Sequence, residues 1–108
     1  MHIESFTPEE QKALYECVAS IKALPIYDSP ELEAIFCYSK ADIEKVLQTF
    51  PDWDLYDEAI DFDDCSGDIL RLAFGWLLNG SDKVKKAMYS RLSFDVSIIP
   101  YLYEKFDA

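Results

Sequence analysis

A chain of 108 residues, half hydrophobic and 15% aromatic, holds one core and carries too much apolar content to stay disordered. Its formal net charge of −11 argues against a nucleic-acid or anionic-membrane surface as partner and favours a basic protein. Residues 1–108 are therefore expected to form a single domain.

The three cysteines, Cys17, Cys37 and Cys65, are odd in number, widely spaced and free of any C-x-x-C pair. They suggest neither a disulfide framework nor a zinc knuckle, and so reduced thiols in a cytoplasmic protein. Cys17 and Cys37 sit among apolar neighbours and read as small buried hydrophobes, whereas acids flank Cys65 and should blunt its reactivity. The segment Met1 to Ser5 lacks the pattern of a signal peptide. The longest apolar stretch, Ile69 to Leu78, spans only about 15 Å as a helix, so no membrane span is expected.

Helix signals follow one another along the chain. Thr7-Pro8-Glu9-Glu10 combines an N-cap, a proline at the first helical position and a capping-box glutamate. Leu14, Val18 and Ile21 mark that helix's apolar face, and Pro25 stops it by Leu24. Asp28-Ser29-Pro30-Glu31 opens a short second helix carrying Leu32, Ile35 and Phe36. Ser39-Lys40-Ala41-Asp42 starts a third, whose Ile43, Val46, Leu47 and Phe50 form a helical stripe up to Pro51. A fourth is expected over Asp52 to Phe62.

Ser66-Gly67-Asp68 breaks that helix and caps a fifth, Asp68 to Asn79. This element is apolar around nearly its whole circumference, which places it mid-core, and Gly75 inside it is expected at a close helix–helix crossing. After the Asn79-Gly80 stop, Ser81-Asp82 opens a helix burying Val84, Ala87, Met88 and Leu92 and showing Lys83, Lys85, Lys86 and Arg91 to solvent. A last helix, near Ile98 to Phe106, packs Ile99, Leu102 and Phe106. No stretch alternates as a strand would. The expected fold is all-α, a compact irregular bundle of about six or seven short helices.

The charge is unevenly placed. Residues 1–51 sum to −5 and residues 71–108 to +2, whereas residues 52–70 hold eight acids and no base. On a helical wheel Asp54, Asp57, Glu58, Asp61 and Asp64 fall within roughly 120°. Trp53, Leu55, Tyr56, Ala59, Ile60 and Phe62 fill the opposite half. Like charges at i, i+3 and i+4 cost some tenths of a kcal/mol each, and no lysine relieves them. Six acids from Asp54 to Asp64 over about 15 Å of helix approach the charge density of duplex DNA, about 1.7 Å per charge. The other reading of the same face is a solvated surface that keeps the protein soluble.

Other chemistry finds little support. Aligned as a calcium loop on Gly67, the segment offers Asp64 and Ser66 but has Phe62 and Ala73 where the first and the bidentate ligands belong. Clustered carboxylates leave weak divalent-ion binding open; no metal or cofactor is expected. The single histidine is His2, and no phosphate-binding glycine loop or nucleophile motif occurs, so an enzyme is not expected. Lys83, Lys85, Lys86 and Arg91 make a small basic face, suited to pairing with the acidic segment of its own or a neighbouring chain, or to solvation. Tyr101, Tyr103, Phe106, Tyr27 and Tyr38 fit core completion better than an interface.

In size, acidity and helicity the chain resembles small inhibitors, toxin-immunity and phage anti-defence proteins among them. The likeness is one of bulk properties and covers no motif. The expectation is a stoichiometric inhibitor or antagonist, of immunity or anti-defence type and mimicking nucleic acid, that binds a basic partner such as a nuclease. Its contact residues are Asp54, Asp57, Glu58, Asp61, Asp63 and Asp64, with Trp53 or Tyr56 as a rim anchor. The alternative is a helical adaptor or complex subunit that docks through apolar surface.

Overall fold

The computed structural model describes residues 3–53, 55 and 65–107. Among them the chain is all-helical: six α-helices and four short 3-10 turns, with no strand. The first α-helix, α1, runs Pro8–Ala19. Its capping box forms as the sequence implies, with the Glu10 N–H donating to Thr7 Oγ1 at 3.2 Å and the Thr7 N–H to Glu10 Oε1 at 2.8 Å. Leu14, Val18 and Ile21 are completely buried. The helix tightens into a 3-10 turn over Ser20–Ala23, and a second turn follows at Pro25–Asp28. Helix α2 is Glu31–Phe36 and α3 is Lys40–Thr49, the latter with a Ser39–Asp42 capping box.

Cys37 departs from its expected place. It is exposed, and it terminates α2 in the left-handed region at φ 62°, a conformation glycine more often occupies. Cys17 is the buried hydrophobe foreseen, its thiol pushed up to about 12 by burial and by the nearby Glu16 charge.

The fourth predicted helix does not begin where the wheel placed it. Asp52, Trp53 and Leu55 are not helical; the remainder of that element falls outside the described residues. Helix α4 then spans Ser66–Asn79, starting two residues before the expected Asp68. It is the centre of the fold, packing against α1 and against the two helices that follow it, α5 at Asp82–Tyr89 and α6 at Ile99–Asp107. Ile69, Leu70, Ala73, Phe74 and Leu77 are buried to within 1%; each such large side chain contributes roughly 1.5–3 kcal/mol by leaving water. In α5 only Met88 is fully buried, with Val84 half-covered; Leu92, expected in the same helix, lies beyond its end and is half-covered too. Ile99, Leu102 and Phe106 of α6 are buried as their spacing predicts.

The two glycines of α4 exchange roles. Gly75, expected at a tight crossing, is exposed, and a Cβ built on it would meet nothing within 4 Å. The close approach occurs at Gly67 instead, where a Cβ would lie 3.2 Å from the carbonyl carbon and oxygen of Leu55. Those are backbone atoms with little room to yield. Gly67→Ala should therefore lower the unfolding free energy by about 1–3 kcal/mol despite alanine's better helix propensity. A urea midpoint at or above the wild-type value would show that this crossing is looser than described.

Glu10 also ties α1 to α6. Lys105 on α6 donates to its Oε1 at 2.9 Å, and the ammonium lies 5.0 Å from the Phe6 ring centroid. The Lys105 hydrogen bond, with the Thr7 N–H next, pulls the Glu10 carboxyl from its usual 4.5 down to about 2. Because folding depresses this pKa, the stabilisation is complete above pH 4.5 and fades as the pH falls from 4.5 toward 2. Glu10→Gln is expected to cost about 1–2 kcal/mol at pH 7 after allowing for solvent screening, and almost nothing near pH 2. Denaturant titrations of both proteins at the two pH values check this.

Candidate functional site

The acidic segment is anchored at both described ends. At its start Trp53 is 1% exposed and Leu55 4%. The Trp53 indole donates to the Val46 carbonyl at 2.8 Å, and its ring meets Phe50 edge-on at 5.2 Å and stacks with Tyr15 at 6.4 Å. The Trp53 N–H donates to the Pro51 carbonyl at 2.8 Å, immediately after the cis Phe50–Pro51 bond, which is itself spanned by the 2.8 Å bond from the Asp52 N–H to the Thr49 carbonyl. Trp53 is thus a core side chain and is not available as a rim anchor. Its aromatic type fits both roles equally from sequence, and only the cage of Tyr15, Phe50 and Val46 decides between them.

At the far end Ser66 is completely buried and Gly67 lies against Leu55. Leu55 and Gly67, on the two sides of the acidic stretch in sequence, therefore meet at one place in the core. Asp54, Tyr56, Asp57, Glu58, Asp61, Asp63 and Asp64 lie outside the described residues. The segment's other two acids, Asp52 and Asp68, are both exposed. Asp68 accepts a hydrogen bond from the Tyr38 hydroxyl at 2.7 Å, thirty residues away in sequence. Burial and that carboxylate push the Tyr38 phenol well above its ordinary value. This contact ties the end of the segment to the chain following α2, and no local pattern announces it.

The basic face lies beyond the other end of α4. Lys83, Lys86 and Arg91 are exposed and Lys85 is half-buried. Among the described residues no carboxylate forms an ion pair with any of the four, whereas Lys22, Lys40, Arg71 and Lys105 are paired with Glu44, Asp28, Asp107 and Glu10. The protein is thus electrically polar along α4, acidic in sequence before it and basic after it.

No protein-family model, curated protein or solved structure matches the chain. The site is therefore read from its own chemistry. Among the described residues no three His, Cys, Asp or Glu side chains converge as a metal site would require. The described carboxyl groups with a resolved shift, Glu10, Glu44 and Asp95, are all lowered, by Lys105, by Tyr27 and by the Ser97 N–H respectively. A carboxyl kept protonated for acid catalysis would be raised. No helix among the described residues is long and apolar enough to cross a membrane.

Two surface features have no counterpart in the sequence pattern. A groove of about 370 Å³ is lined by Arg71, Leu72, Gly75, Trp76, Asn79, Gly80 and Ser81. Trp76, on its wall, stacks on Phe36 at 5.5 Å. The all-round hydrophobicity of α4 conceals this groove, because the only exposed residues of the helix are Asp68, Gly75 and Asn79. Near the start of α6, Val96, Ile98 and Tyr101 are 36%, 36% and 54% exposed. Tyr27 and Phe106, by contrast, complete the core.

Proposed function

We propose that the protein is a small acidic binding protein that antagonises a basic partner, such as a nuclease or another nucleic-acid-binding protein, through residues 52–68. One observation carries this reading: residues 52–70 contain eight acids and no base, while the remainder of the chain interleaves both signs. Charge selected only for solubility has no reason to cluster, and the repulsion within such a cluster costs stability. The anchoring of Trp53, Leu55, Ser66 and Gly67 supports the same reading, since it fixes both ends of the acidic stretch on a packed core. A charged stretch tied at both sides loses less freedom on binding than charge on a tail.

The test is affinity capture from the source cells at low and high salt, using the wild type and a variant with Asp57, Glu58 and Asp61 replaced by lysine. The proposal expects a basic protein retained at low salt, released at high salt and absent from the variant capture. A partner held equally by both forms sinks it. That outcome would favour the adaptor reading, for which the exposed Val96, Ile98 and Tyr101 offer an apolar contact surface.

A further inference from the structure

We infer that the groove around Gly75 is a self-association surface, on which the α4 helix of a second copy of this chain crosses antiparallel. The first observation is the glycine itself. Gly75 lies in the interior of a fourteen-residue helix, where it is about 1 kcal/mol less favourable than alanine. Inside one copy nothing requires it, since a Cβ there would point into open space. A missing side chain on an exposed helix face admits the backbone of something packed from outside. The groove it opens is walled by Leu72 and Trp76, both half-buried, with the Trp76 ring stacked on Phe36. An apolar wall of this kind gains from being covered.

Charge selects the occupant. The sequence on the N-terminal side of α4 is strongly acidic, ending in the exposed Asp68, while residues 82–91 that follow it carry four cations and one carboxylate. A closed two-fold dimer uses the same patch on both copies. Antiparallel crossing at Gly75 lays the acidic end of each α4 beside the basic end of the other, twice over. Asp68 stands seven residues before Gly75, about 10 Å along the axis; α4 ends four residues after Gly75, and Lys83 lies in the first turn of α5, which follows at once. Parallel crossing would set acid against acid. Lys83 and Lys86 are exposed and lack an ion-pair partner among the described residues, so they are available to the neighbouring copy. This inference stands apart from the proposed antagonism and needs no other protein.

Sedimentation equilibrium of the full chain, from micromolar to sub-millimolar concentration at low and high salt, tests it. A reversible dimer whose dissociation constant rises with salt is expected. Gly75→Ala should raise the melting temperature of the dilute protein, because the site is open, yet weaken the dimer by at least about tenfold. Lys83→Glu should dissociate it as well, and mixing that variant with Asp68→Lys should restore association as a heterodimer. A chain that stays monomeric throughout overturns the inference. So does a dimer indifferent to both Gly75→Ala and Lys83→Glu.

Discussion

Trp53→Ala is expected to remove about 3–5 kcal/mol of unfolding free energy, several times what a surface substitution removes. The side chain is 1% exposed, and its loss would open a cavity bordered by Tyr15 and Phe50. It would also leave the Val46 carbonyl without the 2.8 Å bond from the indole. A domain of this size commonly has about 5–15 kcal/mol in total, so the variant should be close to unfolding at physiological temperature. Trp53→Phe separates the two contributions: it keeps most of the apolar bulk and should cost only about 1–2 kcal/mol. Urea denaturation followed by far-ultraviolet circular dichroism measures both. Comparable losses for the two variants would mean that the hydrogen bond, rather than the packing, dominates at this position.

The second large effect concerns binding. Replacing Asp57, Glu58 and Asp61 with lysine changes the charge of the segment by six units. Like charges placed against a cationic surface cost several kcal/mol, so affinity for the partner should fall by at least about a hundredfold. The fold should survive, since the substitutions lower the net charge from −11 to −5 and with it the self-repulsion of the chain. Unchanged circular dichroism and a melting temperature within a few degrees of wild type would separate lost recognition from lost structure.

Local physics is readable from the residues, and long-range placement is not. Thr7 with Glu10, Ser39 with Asp42, and Ser81 each announce a helix start because a cap needs only residues three apart. The stripes Leu14–Val18–Ile21 and Ile99–Leu102–Phe106 are buried because a 3.6-residue period leaves no other choice. Gly67 and Gly75 are indistinguishable by such rules. Which of them meets backbone depends on where Leu55 passes, twelve residues from Gly67 in sequence. Cys37 looks buried by its neighbours, yet the end of α2 turns it outward. Trp53 and Leu55 satisfy a helical wheel, but the turn after Pro51 and the cage around Trp53 go with a non-helical state at Asp52, Trp53 and Leu55. The charge asymmetry, the one feature of the candidate site that needs no three-dimensional information, is wholly legible.

That asymmetry yields the most direct measurement of the central claim: the association rate with the captured partner as a function of ionic strength, for the wild type and the triple lysine variant. Electrostatic recognition by the 52–68 segment predicts a wild-type rate well above the unsteered range of about 10⁵–10⁶ M⁻¹s⁻¹ at low salt. It should fall steeply as the screening length shrinks toward about 8 Å at physiological ionic strength, with the variant slow throughout. A wild-type rate that is flat with salt, or a variant that matches it, would contradict the account.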